Sequence, residues 1–514
     1  MTTLRIAAMA ALLLPAAVCA QQEATRSLAT PDEAAATITA EDFERRIGVI
    51  AHDSMMGRDT PSPGLDATAA WIASQMEGLG LSGGAPEGGF VQRYPVRSIV
   101  VDQQASRVTL GGETLSFGVD VLPLRGVSGS GEATAGLVLL SGSGFAAPSV
   151  LDRVRDHHVV LVTGLDTSPM NRAVFQLVAT VANAGARSVT VTTDADDADW
   201  ARAVPDAFEP AMEAGWNDPD AQPPFRPILH VRVSALERML EGAGVDLVAL
   251  RAREAERVRA DVVDGVELTV ALGLRVDEVT APNVVALLEG SDPARRDEYV
   301  VFSAHMDHVG VGTADERGDS IFNGADDDAS GTVAIMEVAE AMASLETRPA
   351  RSTIFLWVSG EEKGLWGSEW YAEHPTVPVD RLVANLNADM VGRNWPDTIV
   401  AIGKEHSDLG ATLERVNAAH PEIGMTAIDD LWPDERFYFR SDHFNFARKG
   451  VPILFFFNGT HDDYHGRDDE PDRIDTEKAA RIAELLYWLG LEVADAAERP
   501  VWDPESRALI VSDR

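Results

Sequence analysis

Tyr299-Val-Val-Phe-Ser-Ala-His-Met-Asp307 is the stretch from which we predict the fold. Its first six residues are mostly apolar and lack polar alternation, which is typical of a strand buried on both faces. His305 and Asp307 follow directly after this run. Because ligands gather where the strands of a helix-covered sheet end, this junction is the first candidate for a functional site.

The chain on both sides repeats the pattern, with apolar strands separated by helices. The predicted strands are 284–288, 299–304, 353–358, 382–386 and 452–457, and the predicted helices are 331–345 and 476–493. Strands that alternate with helices indicate an α/β fold, here a mixed sheet sandwiched between helices.

The part of the chain before residue 283 has a different texture. Residues 40–100 have a helical pattern followed by an irregular one, and Asp66 is predicted to cap a helix over 67–76. A smaller α/β unit follows, with strands at 159–162 and 188–193, a helix at 172–184 and then an acidic loop over 194–224. We therefore predict a main domain formed by 40–100 and 275–495, an inserted domain at 126–261, and a C-terminal tail at 496–514.

The composition limits the possible partners. The 514 residues include 82 acidic and 43 basic ones, and the formal net charge of -39 argues against nucleic acid or an anionic membrane as a partner. We expect peptide substrates as partners, and the sequence does not determine the oligomeric state.

The amino-terminal residues 1–20 resemble a secretory signal peptide. Arg5 precedes an apolar run over 6–17, and the small-residue triplet at 18–20 predicts cleavage after Ala20, so we expect an exported protein, periplasmic or extracellular. Lipid attachment to Cys19 is the alternative, but Val18 is bulkier than the residue that usually precedes such a cysteine. No later apolar segment is long enough for stable membrane insertion. Cleavage would remove the only cysteine, so a metal would have to be held by histidines and carboxylates.

Histidines and carboxylates follow several of the predicted strands. The candidates are His305, Asp327, Glu361, Glu362, Asp389 and His465. Zinc prefers imidazole nitrogen and carboxylate oxygen, and two zinc ions ~3.5–4 Å apart need one carboxylate that bridges them. Two histidines, three carboxylates and one spare glutamate suit such a pair of ions. Asp307 suits a supporting role, in which it accepts the second ring proton of His305.

The motifs around these residues resemble the two-zinc aminopeptidases and glutamate carboxypeptidases, known as metallopeptidase family twenty-eight. The resemblance covers residues 283–495 and rests on Ser303-Ala-His-Met-Asp307, Asn323-Gly-Ala-Asp-Asp-Asp-Ala-Ser-Gly331, Ser359-Gly-Glu-Glu-Lys-Gly-Leu-Trp-Gly-Ser368, Asn387-Ala-Asp-Met390, Arg440-Ser-Asp-His443 and Tyr464-His465. Residues 51–80 are similar to the family's N-terminal helical region. The fold implied is that of the zinc exopeptidases.

The resemblance implies a role for each candidate. His305 and Asp389 would bind one of two Zn²⁺ ions, Glu362 and His465 would bind the other, and Asp327 would bridge both. Glu361 would act as the general base on a water that the two ions share. The bridging aspartate of the family is followed by a cis peptide bond, so Asp327-Asp328 is expected to be cis.

Further residues near these motifs are weaker candidates. We predict substrate contacts for Tyr438, Arg440, Asp442 and His443. A second interpretation pairs Arg440 with Asp442 or Asp434 and gives it only a structural role. The family pattern does not use His308 or His461, so both are expected to be structural or supporting.

The inserted unit resembles the protease-associated domain that many such peptidases carry. The match rests on residues 159–193, and the acidic loop departs from the usual length.

Several activities remain open at this stage. The resemblance favours hydrolysis of the N-terminal peptide bond, and the alternatives are a carboxypeptidase, a single-zinc glutaminyl cyclase and a receptor-like protein without activity. A carboxypeptidase would need a fixed arginine for the terminal carboxylate, and Arg393, Arg436 and Arg440 are candidates for it. A receptor-like protein would have lost ligands, whereas all those implied are present here.

Overall fold

The computed structural model describes residues 28–124, 129–142, 146–162, 172–217, 225–252 and 257–512. The predicted signal peptide at 1–20 lies outside the described residues. Within these ranges, none of the helices combines the length and the apolar character that crossing a lipid bilayer requires.

The strands of the described residues belong to one extended sheet. They are β1 (Ser82–Gly83), β2 (Val91–Leu110), β3 (Glu113–Ser116), β4 (Val121–Pro123), β5 (Gly131–Ser141), β6 (His158–Val162), β7 (Ser188–Thr193), β8 (Ala211–Ala214), β9 (Ile228–Arg232), β10 (Arg259–Leu288), β11 (Tyr299–His305), β12 (Ser352–Val358), β13 (Leu382–Ala388), β14 (Thr398–Ile402), β15 (Thr426–Ile428) and β16 (Ile453–Phe456).

The α-helices of the described residues cover the sheet. They are α1 (Pro31–Ala35), α2 (Ala40–Ile50), α3 (Pro63–Gly78), α4 (Pro148–Val154), α5 (Arg172–Asn183), α6 (Asp197–Ala207), α7 (Val233–Leu240), α8 (Leu247–Arg251), α9 (Gly331–Ser344), α10 (Trp366–Glu373), α11 (Leu409–Ala419), α12 (His443–Ala447), α13 (Thr476–Asp495) and α14 (Pro504–Ile510).

The main part of the sheet is mixed and buried on both faces. Strands β12, β11, β13 and β16 are parallel neighbours in that order, whereas β10 and β14 flank them in the antiparallel sense. Phe302 packs against α9 and α13 on one face, while the next-door Val301 belongs to the core on the opposite face. This arrangement confirms the predicted α/β fold with a sheet between helices.

Two long strands join the inserted unit to the main sheet. The C-terminal end of β10 pairs with β12, and its earlier residues pair with β5, while β2 runs beside β10 from Val91 to Leu110. Beyond β5 lie the parallel strands β6, β7 and β9. The predicted boundaries at residues 100 and 275 therefore fall inside β2 and β10, and the predicted tail at 496–514 contains α14.

Two local predictions are wrong. Ser62, not Asp66, caps α3, because its side chain accepts the amide of Leu65 and Pro63 supplies a preset first helical residue, while Asp66 pairs with Arg93. The predicted acidic loop contains α6 and β8. Asp196 caps α6, and the aspartates that suggested a loop lie in the first turn of that helix, where negative charge is favourable.

Candidate active site

The predicted site residues meet at one edge of the main sheet because their strands are parallel. His305 ends β11, Glu361 and Glu362 follow β12, and Asp389 follows β13. Carboxyl ends of parallel neighbours lie at the same edge, so these side chains converge although they are far apart in the chain. His465 reaches the same place from the long loop after β16.

Asp327 lies between two groups of possible metal ligands. Its Oδ1 is 3.2 Å from Nε2 of His305, which is itself 3.6 Å from Oδ1 of Asp389. Its Oδ2 is 3.1 Å from Nε2 of His465, and that nitrogen is 3.1 Å from Oε2 of Glu362. One carboxylate thus presents one oxygen to each group, which is the arrangement of a bridging ligand. The Asp327-Asp328 peptide bond is cis, as the resemblance implies.

These donor atoms fit zinc. Four ligands at zinc-like bond lengths form a tetrahedron with edges of about 3.3 Å, and the separations above are close to that length. Nε2 of His465 and Oε1 of Glu362 are buried atoms without a hydrogen-bond partner among the described residues. The residues present therefore suit two divalent cations in type and in spacing.

The carboxylates of the site also favour positive charge. Burial lowers the pKa of His465, but Asp327 and Glu362 outweigh it and raise that pKa to about 10. Burial and the nearby carboxylates Asp442 and Asp389 hold the pKa of Glu361 well above its ordinary value, although His305 opposes this. Such shifts occur where a cluster of negative groups is taken out of water.

Asp307 acts on two neighbours at once. Its Oδ1 lies 3.7 Å from Nδ1 of His305, and the closer partner of that nitrogen is the main-chain oxygen of Asp307, at 3.2 Å. The nearest acceptor for the ring N–H of His305 is thus this backbone oxygen and not the predicted carboxylate. The carboxylate of Asp307 instead accepts hydrogen bonds from the hydroxyl of Thr60, at 2.9 Å, and from the amide of Glu361, at 3.3 Å.

The turn that carries Glu361 requires a glycine before it. Gly360 has a φ of 71°, and a Cβ there would lie 2.7 Å from the hydroxyl of Tyr94 and 2.9 Å from the Cβ of Trp366. The amide of Gly360 donates to Oγ1 of Thr60 at 3.0 Å. Thr60 therefore links Asp307 to the turn of the predicted general base.

Arg58 holds the loops of the site through hydrogen bonds to their backbone. The sequence did not indicate this role. Its guanidinium is fully buried and donates to the carbonyls of Met306, Ile50, Asn323 and Gly324 at 2.6–3.0 Å. Burial lowers its pKa to about 10, and nearby aspartates oppose this fall. The only sequence signal is a lone arginine between two helices in the N-terminal region.

Asp469, also missed, connects the loop of His465 to the loop of Asp327. Its carboxylate accepts the amides of Asp326, at 3.0 and 3.1 Å, and of Asp327, at 3.1 Å. Asp328 likewise connects two segments, nearer the sheet, because its carboxylate accepts hydrogen bonds from the amides of His305 and Met390.

A small cavity of about 50 Å³ opens onto the site. His305, Asp327, Glu361 and Asp389 form its polar side, and the apolar side is lined by Met390, Phe437, Phe455, Phe457 and Tyr464. The ring of Tyr464 stacks on that of His465, with centroids 3.9 Å apart.

Of the four weaker substrate-contact candidates, only Arg440 is among the described residues that line this cavity. Tyr438 and His443 lie behind the wall, where Nε2 of His443 is 2.8 Å from the Tyr438 carbonyl and its ring stacks on Phe455. Burial lowers the pKa of His443 to about 3 and raises that of Asp442 to about 7. Arg440 pairs with Glu435 at 3.7 Å, so the predicted pairing with Asp442 or Asp434 is wrong.

Comparison with known proteins finds a family model that is similar to the part of the chain that carries this site. Residues 283–489 match the model described as Peptidase family M28. We refer to these matched residues as the M28 domain. The M28 domain contains all six residues implied as metal ligands or general base, whereas Arg58 and Thr60 come from the chain before it.

Curated relatives of the M28 domain include peptidases of fungi and bacteria. A protein named "Probable leucine aminopeptidase" from Arthroderma otae is 27% identical over 223 residues, which are 42% of this chain and 58% of the relative. "Leupeptin-inactivating enzyme 1" from Streptomyces exfoliatus is 28% identical over 182 residues, which are 35% of this chain and 36% of that protein. The alignments thus span about half of the relatives' length.

Two solved structures share the fold over most of the chain. An aminopeptidase from Aneurinibacillus sp. has a TM-score of 0.51 at 19% identity, over 92% of this chain and 98% of that one. A zinc aminopeptidase from Bacillus subtilis has a TM-score of 0.52 at 16% identity, over 93% of this chain and 98% of its own. The likeness extends beyond the M28 domain into the inserted unit, and nothing in it identifies that unit as a protease-associated domain.

Proposed function

We propose that this protein is an aminopeptidase that holds two zinc ions and hydrolyses the N-terminal bond of peptides. The observation that carries the proposal is the position of Asp327, whose two oxygens face two separate groups of donor atoms. His305 and Asp389 complete one group, and Glu362 and His465 complete the other. The names of the curated relatives and of the solved structures support the same activity.

The protein's own residues would position the substrate and move the proton. Bound zinc would supply Lewis-acid activation of the attacking water and of the scissile carbonyl. Glu361 lines the cavity beside both groups and would take the proton from the water, then pass it to the departing amine. Burial and the neighbouring carboxylates raise its pKa, which makes its ionised form a stronger proton acceptor.

The charge of the cavity favours an amino end over a carboxyl end. Glu361 and Asp389 face the space in which the terminus would lie, and both can accept hydrogen bonds from a protonated amine. A carboxypeptidase would need a fixed arginine, but Arg393 is held by Asp463 at 2.8 Å and Arg436 stacks on Phe439. The side chain of Arg440 is half exposed and packs over Phe437, so it is not held as a fixed fork.

The apolar side of the cavity favours an apolar first residue. The ring of Phe457 stacks on that of Phe455 with centroids 5.2 Å apart and meets that of Phe437 at a tilt, with centroids 4.9 Å apart, and Met390 adds a flexible apolar contact. Burying a leucine or phenylalanine side chain there would contribute on the order of 2 kcal/mol. A charged first residue would lose hydration against these apolar side chains.

The test compares two substrates on one zinc-loaded preparation. Leucyl-alanine amide has a free amine and no carboxylate, while N-acetyl-alanyl-leucine has a free carboxylate and no amine. We expect hydrolysis of the amide only, together with close to two zinc ions per chain by elemental analysis. Cleavage of the acetylated peptide alone would make the protein a carboxypeptidase, and one zinc without hydrolysis would favour the cyclase.

A further inference from the structure

His308 is a buried histidine beside the second group of donor atoms. It is fully buried, and neither ring nitrogen has a hydrogen-bond partner among the described residues. A buried imidazole normally satisfies at least one nitrogen, because an unpaired polar group away from water destabilises the fold. The family pattern gives this residue no role, so its environment must explain it.

The ring of His308 faces the same point as the other donors. Its Nδ1 is 3.0 Å from Oε1 of Glu362 and 3.7 Å from Oδ2 of Asp327. Despite the 3.0 Å separation, neither Nδ1 of His308 nor Oε1 of Glu362 has the geometry of a hydrogen bond. Nε2 of His465 is likewise unpartnered although two oxygens lie 3.1 Å from it. Close, buried donor atoms that do not pair with one another are what ligands around a shared metal ion would show.

We propose that His308 is a fourth protein ligand of the second zinc position, with His465, Glu362 and Asp327. This inference rests on the proposed function, since it assumes that a divalent cation binds there. The four donor atoms lie within 4.8 Å of one another. Nδ1 of His308 lies 3.0 Å from Oε1 of Glu362 and 3.7 Å from Oδ2 of Asp327, and Nε2 of His465 lies 3.1 Å from Oε2 of Glu362 and 3.1 Å from Oδ2 of Asp327. These distances are near the tetrahedral edge of about 3.3 Å for zinc.

The local backbone allows this placement. The amide of His308 donates a hydrogen bond to the carbonyl of Arg58 at 3.3 Å, and this bond fixes the backbone position from which the side chain extends. A Cβ on Gly324 would lie 2.5 Å from Cγ of His308, so only a glycine leaves room for the ring. The ring also meets that of His465 edge to face, with centroids 5.5 Å apart.

A fourth ligand makes the two zinc positions unequal. The first group has three protein donors, and all three residues line the cavity, which leaves its remaining coordination place open to substrate. His308, Glu362 and His465 are not among the described residues that line the cavity. Zinc held by four protein ligands is typical of closed, tightly bound sites, and zinc held by three is typical of catalytic sites. The second ion is therefore the one retained longer during chelation.

The first experiment measures metal affinity in the full chain. Zinc is titrated away with a chromogenic chelator from the wild type, from His308→Asn and from His443→Asn, a buried histidine outside both groups. We expect the wild type to release its ions in two steps, and His308→Asn to weaken the tighter step by more than about 100-fold, beyond the range typical for loss of a supporting partner. His443→Asn should leave both steps unchanged.

The second experiment counts histidine ligands without relying on a variant. Proton NMR of the Co²⁺-loaded wild type should show a paramagnetically shifted ring N–H signal for His308 in addition to those of His305 and His465. Its absence from the spectrum of His308→Asn assigns it. Equal affinities in wild type and His308→Asn would overturn the proposal. So would a loss of only ~10–100-fold with the same set of shifted signals, since that marks a positioning residue.

The outcomes also separate this inference from the proposed function. A wild type that binds two ions and hydrolyses peptides, with His308→Asn indistinguishable from it, refutes only the role of His308. A wild type that binds fewer than two ions at saturation refutes the two-zinc function itself.

Discussion

At the scale of single residues, the site assigns different work to adjacent carboxylates. Glu361 lines the cavity, whereas Glu362 points the other way, toward His465 and His308. The two side chains leave the same turn in different directions because Gly360 brings the chain sharply out of β12. Asp307 and Thr60 then hold that turn from behind.

Glu361→Gln is expected to separate proton transfer from metal binding. The amide keeps the size of the side chain but cannot take a proton, so kcat should fall by ~10²–10⁴ while both zinc ions remain. Glu362→Gln, the matched control one position along, should lose zinc affinity. Steady-state rates and zinc content on the same samples test this, and zinc loss in Glu361→Gln with none in Glu362→Gln would reverse the two roles.

Arg58→Met is expected to destabilise the protein strongly. The substitution keeps most of the side-chain volume but removes the donor from the buried carbonyls of Met306, Ile50 and Asn323, while that of Gly324 keeps the amide of Ala329. Each buried carbonyl left without a donor costs roughly 1–3 kcal/mol. The free energy of unfolding in urea should fall by several kcal/mol. Arg45→Met is the control, because Arg45 is half exposed and its pair with Asp42 contributes little. Similar losses in both variants would show that Arg58 does not support the site loops.

At the scale of elements, the two parts of the sheet are built on the same principle. Strands β6 and β7 of the inserted unit are buried along their whole length, as β12 and β13 are in the main sheet, and β11 is buried after Tyr299. One histidine in this buried part of the inserted unit has its pKa lowered by burial. His158 at the start of β6 is fully buried, with Nδ1 2.7 Å from Oγ of Ser188 and Nε2 3.1 Å from the carbonyl of Ala133.

The stability of the inserted unit is expected to fall in mild acid because of His158. Burial lowers its pKa to about 4 from 6.5, and the carbonyl of Ala133 opposes this only in part. Below pH 6.5 the unfolded chain binds a proton at His158 that the folded chain does not. Stability is therefore lost as the pH falls from about 6.5 to about 4, by about 3 kcal/mol in all.

Urea unfolding between pH 4 and pH 7 measures this effect. His158→Gln should flatten the pH dependence, since glutamine can donate and accept but does not titrate in this range. His157→Gln, at the less buried neighbour, is the control and should keep the wild-type slope. If His158→Gln keeps that slope as well, the acid sensitivity has another origin.

At the scale of the whole molecule, the long strands β2 and β10 connect the main and inserted parts through shared strand pairing. They pair along most of their length, and each also pairs with strands of the inserted unit, such as β5 and β8. Breaking either part would expose the backbone of both long strands, so the two parts should unfold together.

Removal of metal is expected to lower the stability of the whole chain in a single transition. An ion that binds only the folded protein stabilises it by ~2.7–4.1 kcal/mol at 100–1,000 times its Kd, and this is lost on chelation. Calorimetry with and without chelator should show one transition that moves to lower temperature and returns when zinc is restored. Two transitions, of which zinc moves only one, would show that the long strands do not couple the parts.

The sequence by itself determined the type of the strands and helices around the site and offered the candidate ligands. Mostly apolar runs without polar alternation, such as Val300–Ala304, mark strands buried on both faces, because burial leaves a local pattern. The donors follow these runs, and zinc chemistry selects them by type. Tertiary structure alone decided the rest. Arg58 and Thr60 act on residues some 250 to 300 positions away, and β2 and β10 cross the predicted boundaries. The position of His308 beside Glu362 and Asp327 also follows only from the fold. Such contacts depend on how distant segments pack, and that information is not present in a local window of sequence.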